Sequence, residues 1–386
     1  MDILRIQEAL RRQQLDGWLF FDHHGRDPLA YRVLGLRPGH VTRRWYYLIP
    51  ATGEPRGLVH RIEAGVINGL PGEKSQYSSW QEQHSELGRL LKGMKRVAMQ
   101  YSPLCAVPYV AMVDAGTVEL VRSLGVEVAS SAELIQEFEA CLNDAQFASH
   151  LEAGRRVDKV RAEAFRFIAD KLAGGASEIM VRDWILEQFR DARLITDSGP
   201  IVSVNAHAGD PHYEPTPETS SPIRPGDFVL LDMWAKLDRP DSIYYDITWN
   251  GFCGDARDRV RQVFETVRDA RDRAIEAVSR AVKEKHEIRG FEVDDAARNH
   301  IRERGFGERF VHRTGHSIGS EVHGTGANMD NLETHDERRI LPGALFSIEP
   351  GIYLEDFGVR CEVDVFVTAD SASTTGIVQR DLVRIG

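Results

Sequence analysis

Four carboxylates in the second half of the chain fall in two mirrored pairs. Asp232 and Asp246 flank the turn sequence DRPD (238–241), whose aspartates and proline favour chain reversal. Folding back near Arg239 predicts a hairpin with the two aspartates opposite each other, their Cβ atoms about 4.5–5.5 Å apart. With Leu230, Leu231, Ile243 and Ile247 around them, two negative charges there are costly unless a cation sits between them. Glu349 and Glu362 repeat the arrangement about EDFG (355–358). Between the pairs lies HRTGHSIGSEVH, with His312, His316 and His323. Gly315 and Gly319 argue against a helix here, so the segment reads as a strand with glycines where backbone comes close to a neighbour. Four carboxylates and one imidazole suit two adjacent divalent cations, manganese, iron, cobalt or zinc, rather than one thiolate-bound zinc. Such a pair, about 3.5–4 Å apart, holds a bridging hydroxide and polarises a carbonyl oxygen, so hydrolysis of a C–N bond is the natural chemistry.

The elements that must position these side chains are legible as apolar periodicity. Strands are expected at 200–205, 228–237, 243–252, 346–354 and 359–367. Val157, Val160, Ala164, Ile168 and Leu172 form one helical stripe ending at Gly174-Gly175, and Ser177 can cap the next helix. Further helices are expected at 257–285 and 293–304. Upstream, Ile3 to Gln14 reads as a short helix, and WLFF (18–21), 43–50, 96–101 and 126–130 as strands of an α/β region without a catalytic grouping. The change of character near 140–150 predicts an α+β protein with domains 1–143 and 144–386, the chemistry lying in the second.

At 386 residues, 42% hydrophobic and 28% charged, the chain has the composition of a globular protein of two domains. A net charge of −11, with basic residues interspersed among acidic ones, argues against a nucleic-acid partner. Cys105, Cys141, Cys253 and Cys361 are far apart with no CxxC pair, which argues against a zinc knuckle or a disulfide framework. The N-terminus lacks a continuous apolar signal region, and no apolar run approaches the roughly 18 residues of a membrane span. A cytoplasmic location without membrane association is the expectation.

The segments GDFVLLD…YYDIT, HRTGHSIGSEVH, SIEPGIY and GVRCE resemble, in order and spacing, the motifs of the pita-bread metallopeptidases, the family of aminopeptidase P, prolidase, methionine aminopeptidase and creatinase. WLFFD, RRWYYLIP and GEP are similar to the creatinase-type N-terminal domain, which points to the prolidase, aminopeptidase P and creatinase branch. The resemblance implies a pita-bread catalytic domain behind a smaller α/β domain, a homodimer, and an Xaa-Pro dipeptidase or aminopeptidase loaded with two divalent ions, first of all Mn2+. It also implies roles. Asp232 chelates one metal, Asp246 and Glu362 bridge both, and His316 and Glu349 hold the other, with Glu349 as proton acceptor. His323 contacts the substrate carbonyl or scissile amide, His312 and His212 match pocket histidines, and Arg360 steadies the site. The chain departs from the family in four places, one of them the run joining the two domains, which reads EACLNDAQFASHLEAGRR here. The Asp232 to Asp246 separation is three residues longer than the usual peptidase spacing, and Gly324 and Val363 stand where acids are common. These departures bear on specificity rather than on the ligand set.

Three other functions remain open at this stage. The same fold and metals could act on a small molecule, as a C–N hydrolase or a sulfonium lyase. The fold could also serve as a non-catalytic binding module, although such proteins usually lose ligands. Gly315 to Gly319 fits G-x-S-x-G, but a serine hydrolase needs a strand–turn–helix elbow, and the following SEVHGTGANMDN is too rich in glycine and asparagine for the helix.

Overall fold

The computed structural model describes residues 1–37 and 39–386, which form two compact units, Met1–Glu139 and Ala140–Gly386. In the first, strands β1 (Gly17–Asp22), β2 (Trp45–Pro50), β3 (Arg56–His60), β4 (Glu73–Tyr77), β5 (Arg96–Met99) and β6 (Glu127–Ser130) form one sheet in the order β4-β3-β2-β1-β5-β6. Helices α1 (Ile3–Arg12), α2 (Pro28–Leu34), α3 (Trp80–Leu90), α4 (Ala115–Ser123) and α5 (Ala132–Ile135) complete the unit. The unbroken apolar run of β1 follows from burial on both faces. Trp18 and Phe20 pack into one core with Ile6 and Leu10, while Leu19 and Phe21 pack into another with Leu87 and Leu90.

The second unit opens with α6 (Asp144–Lys171), whose N-terminus is closed by a reciprocal Asn143–Gln146 capping box. Next comes α7 (Glu178–Asp191), capped by Ser177 as expected. Strands β7 (Leu194–Ile195), β8 (Ile201–Val204), β9 (Phe228–Leu237) and β10 (Tyr245–Cys253) follow, then α8 (Asp258–Glu284) and α9 (Gly290–Glu303). The chain ends in β11 (Leu345–Ile348), β12 (Gly351–Tyr353), β13 (Gly358–Arg360), β14 (Val363–Val367), β15 (Ala372–Thr374) and β16 (Val383–Ile385). The periodic stripe of α6 is buried at Val157, Val160, Ala164 and Ile168, against Leu231, Met233, Tyr245 and Ile247 of the long β9/β10 hairpin. Strand alternation then turns Asp232, Asp246 and Thr248 to the opposite face. On that side Phe228, Leu230 and Phe252 pack with α8, α9 and the C-terminal strands. The acids are thus held between two layers. No helix among the described residues is long and apolar enough to cross a membrane.

Four expectations change in detail. The β9/β10 ladder pairs Thr248 with Asp232 and Asp246 with Trp234, so the two aspartates are diagonal neighbours on one face rather than direct partners. Ser242 donates to Leu237 O (2.6 Å) and Arg239 O (2.8 Å), and Asp241 takes φ +58°, which makes a wider turn than DRPD alone suggests. The strand expected at 346–354 is two strands, interrupted at Glu349-Pro350, where proline has no N–H to offer a ladder. Likewise 359–367 breaks at Cys361-Glu362, where Glu362 N donates to Thr248 O instead (3.3 Å). Ile348 pairs with Val363 and Gly351 with Arg360 in one continuous register, so Glu349 and Glu362 face each other across the two breaks. Finally, 312–323 is not a strand but a coil fixed by single bridges from Gly315 to Met329 and from Ser317 to Phe346. Glycine is required at 315, because a Cβ there would lie 1.9 Å from Ser347 O.

Candidate metal centre

β9 supplies Asp232, β10 supplies Asp246, the coil after α9 supplies His316, and the two strand breaks supply Glu349 and Glu362. Asp246, His316 and Glu362, all buried, offer donor atoms within 4.8 Å of one another. Glu349 joins them, its Oε1 being 3.4 Å from His316 Nε2, which also lies 3.6 Å from Asp246 Oδ2. Asp232 is turned toward a cation of the protein itself, the buried guanidinium of Arg360. The carbonyl of Ser317 accepts from His316 Nδ1 (3.1 Å), which fixes the tautomer and leaves Nε2 with its lone pair toward the acids, the arrangement of a metal-ligating histidine. Ser347 aligns both neighbours, since its Oγ accepts from His316 N (2.9 Å) and donates to Glu349 Oε1 (3.2 Å).

The electrostatics of this cluster are those of a cation site. Burial pushes Asp246 well above the usual carboxylate range, and the charges of Asp232 and Glu349 push it further. Glu362 is raised well above its ordinary value by burial and then by Asp246. Asp232 is raised by burial against the opposing pull of Arg360. Asp246 Oδ1 and the neighbouring Asp364 Oδ1 are buried without a hydrogen-bond partner among the described residues. Hard oxygen donors, one correctly oriented imidazole and an orphaned buried carboxylate oxygen all fit a divalent ion. A second ion would be held by Asp232 in exchange for Arg360.

Around the acids lies a cavity of about 430 Å³, lined also by His212, Trp234, His312, Arg313 and His323. The ring of His323 stands edge-on to His316 with centroids 4.3 Å apart, and electrostatic coupling to His316, beside which a second imidazolium is disfavoured, followed by burial, lowers His323 to about 3. His312 is lowered to about 3, mainly by burial, and its Nε2 is hydrogen-bonded to Tyr353 OH (2.6 Å). Both rings are therefore neutral near pH 7. His212 is exposed. The nine residues given site roles from the sequence thus line one space. Neither Gly324 nor Val363 is among the residues that line it. Gly324 is set by crowding instead, because a Cβ there would meet Ser317 Oγ at 2.9 Å.

The sequence left several members unmarked. Thr248 accepts from Arg360 Nε (3.1 Å) and donates to Glu362 Oε2 (2.7 Å), linking guanidinium to ligand. Tyr353 OH accepts from Arg360 Nη1 (3.3 Å). Asp364 accepts from the backbone N–H of Asp246 (2.9 Å). Its position two residues beyond Glu362, in strand-like sequence, was a usable signal for a shared face. Trp234 forms a wall beside Asp246 and donates its indole N–H to Asp197 (2.9 Å).

The same arrangement of segments is found in known proteins. Over 222 residues the chain is 32% identical to an Xaa-Pro dipeptidase of Lactobacillus helveticus, a match spanning 57% of this chain and 56% of that protein. The solved structure of dipeptidase PepE from Mycobacterium ulcerans aligns with a TM-score of 0.73 at 23% identity, covering 99% of this chain and 96% of that one. A prolidase from Thermococcus sibiricus aligns with a TM-score of 0.65 at 25% identity, covering 100% and 99%. The fold is therefore the mixed α+β, pita-bread arrangement with an N-terminal α/β domain, as expected. A sequence model of metallopeptidase family M24 matches residues 148–369. Since that match takes in more than half of the chain and every carboxylate and histidine gathered at the cavity, the chain belongs to metallopeptidase family M24.

Proposed function

We propose that the protein is a two-metal peptidase that hydrolyses the Xaa-Pro bond of dipeptides. The observation that carries this reading is the convergence of Asp246, His316, Glu349 and Glu362, with Asp232 alongside, on a cavity that also holds two neutral histidines. At about 430 Å³ the cavity is near the small end of ligand pockets, roughly 300–1,000 Å³, which favours a dipeptide over a longer chain. The names of the Lactobacillus and Thermococcus proteins support the same substrate class.

Two divalent ions, first of all Mn2+ with Zn2+, Co2+ or Fe2+ as the other options, would supply a water of lowered pKa and an electrophile for the carbonyl oxygen. Asp232 would hold one ion, His316 and Glu349 the other, with Asp246 and Glu362 shared. Glu349, least buried of the ligands and anchored by Ser347, is the group to accept the proton from the attacking water. His323, as a neutral imidazole, donates a hydrogen bond toward the carbonyl or the departing nitrogen without adding a full charge. His312 and Tyr353 brace Arg360, whose guanidinium keeps Asp232 and Thr248 in place. His212 flanks the substrate from the exposed loop.

Proline's tertiary amide has no N–H, so a site that polarises the carbonyl and protonates the imine nitrogen suits it where a backbone-binding peptidase fails. The test is a pair of matched substrates, Xaa-Pro and Xaa-Ala, as dipeptides and tripeptides, given to manganese-loaded protein. Replacing proline is expected to lower kcat/KM at least about tenfold, or ~1.4 kcal/mol. Equal rates, or no hydrolysis of either, overturn the specificity and favour a non-peptide C–N substrate.

A further inference from the structure

The N-terminal unit has a cavity of its own, independent of the metal centre. In its sheet β1, β3, β4, β5 and β6 run in one direction and β2 alone runs against them. The chain builds outward from β1 to β4, then returns to lay β5 and β6 on the other side of β1, so the sheet order reverses at the β1/β5 boundary. Open α/β sheets bind ligands beyond the carboxyl ends of their strands at such a reversal. At that end, between β1, β3, β4 and the helices α3 and α4, lies a cavity of about 960 Å³.

Its lining carries three arginines, Arg26, Arg43 and Arg44, against two carboxylates, Asp114 and Glu119, a positive balance in a chain whose net charge is −11. Arg26 and Arg44 are exposed, and among the described residues their side chains have neither an ion pair nor a hydrogen bond. Among the described residues the guanidinium of Arg43 donates to the carbonyl and hydroxyl of Thr42 alone (3.2 and 2.9 Å). Asp114, also on the wall, is committed to α4, where it accepts from Thr117 N (2.9 Å) and Thr117 Oγ1 (2.8 Å). The positive charges converge on His23, which is lowered by burial and then by His24, Arg26 and Arg44. The loop carrying Arg26 is also rigidly built. His24 sits at φ +67°, and Asp22 holds the turn by accepting from Gly25 N (2.9 Å) and Asp27 N (3.0 Å). A non-glycine residue kept in that region marks a turn whose shape matters. Trp80, 64% exposed at the start of α3, offers a flat flank.

We propose that this cavity is a second ligand site, for a small organic dianion, with Arg26, Arg43 and Arg44 as its charge partners. Unpaired guanidiniums present forked donors that match phosphate and carboxylate alike. The metal centre plays no part in the proposal, and its failure would leave the peptidase reading untouched.

The experiment is calorimetric titration of the full-length protein with ribose 5-phosphate in one arm and glutarate in the other. Saturable one-to-one binding is expected, and the tighter arm identifies phosphate ester or dicarboxylate as the ligand class. Affinity should fall about tenfold or more in Arg44→Gln and further in Arg26→Gln/Arg44→Gln, the scale of lost charge-assisted hydrogen bonds. It should also fall with added salt. Arg89→Gln, an exposed arginine of α3 outside the cavity, should bind as the parent does. The proposal is overturned if neither probe saturates by roughly 10 mM, a free energy of only a few kcal/mol. It is equally overturned if the double variant, folded as judged by circular dichroism, binds like the parent, or if Arg89→Gln loses as much affinity as the cavity variants.

Discussion

Arg360 and Asp232 form a buried ion pair inside the metal centre. A protein cation thereby neutralises one of five ligand-type side chains, and the same guanidinium reaches Glu362 through Thr248. Removing one partner of a buried pair leaves an uncompensated charge, which costs roughly 3–5 kcal/mol. Arg360→Ala is therefore expected to destabilise metal-free protein on that scale, and saturating Mn2+ should recover much of the loss by supplying the missing positive charge. Urea denaturation with and without the ion checks this. A metal-free variant as stable as its parent would show that Asp232 does not depend on Arg360.

Ligation and catalysis separate at two residues. Asp246 sits in the tightest part of the cluster with an orphaned oxygen, so Asp246→Asn should empty or strongly weaken the metal site. His323 meets the cluster at the ring of His316, so His323→Ala should keep its metal and lose roughly 10²-fold or more in turnover, the scale of a missing transition-state donor. Metal analysis beside steady-state kinetics distinguishes them. A metal-free His323→Ala protein would make His323 a ligand.

A pH-dependent term is expected within the N-terminal unit, at Asp27. This carboxyl caps α2 by accepting from Ala30 N (3.0 Å), and burial raises it from 3.8 to about 7. Between those values the folded state keeps a proton that the unfolded chain releases, so the parent loses stability as pH rises through the window. Asparagine retains the capping oxygen and cannot ionise. The stability of Asp27→Asn relative to the parent should therefore climb from pH 4 to pH 7, by at most ~1.4 kcal/mol per pH unit, and level off above. A difference that stays constant over that range would place the Asp27 carboxyl at its ordinary value.

How far the sequence carried these conclusions differs between local pattern and tertiary placement. The limits of β9 follow its apolar run directly, and the Glu349/Glu362 register follows from the short turn at 355–358. The Asp232/Asp246 register is displaced by two residues because Ser242 and Asp241 shape a wider turn, a side-chain-to-backbone effect that a turn motif does not encode. The strand expected over His312 to His323 is absent because glycines mark close backbone approach without specifying what approaches; Ser347 crowds Gly315, whereas a Cβ at Gly319 would meet nothing nearer than 3.9 Å. Thr248 and Asp364 hold the acids of the cluster and Tyr353 holds Arg360, and residues of those types are common enough that proximity is what reveals them.

The central claim is that hydrolysis depends on divalent ions held by this cluster, and the most direct measurement is metal content and peptide hydrolysis followed together through chelation and reloading. Close to two ions per chain are expected, with Xaa-Pro hydrolysis lost on chelation, restored by Mn2+ and unaffected by a serine-directed acylating inhibitor. Binding ions at 100 times their Kd should also stabilise the folded chain by about 2.7 kcal/mol per site. Hydrolysis that survives complete removal of metal and is stopped by the acylating inhibitor would contradict the account.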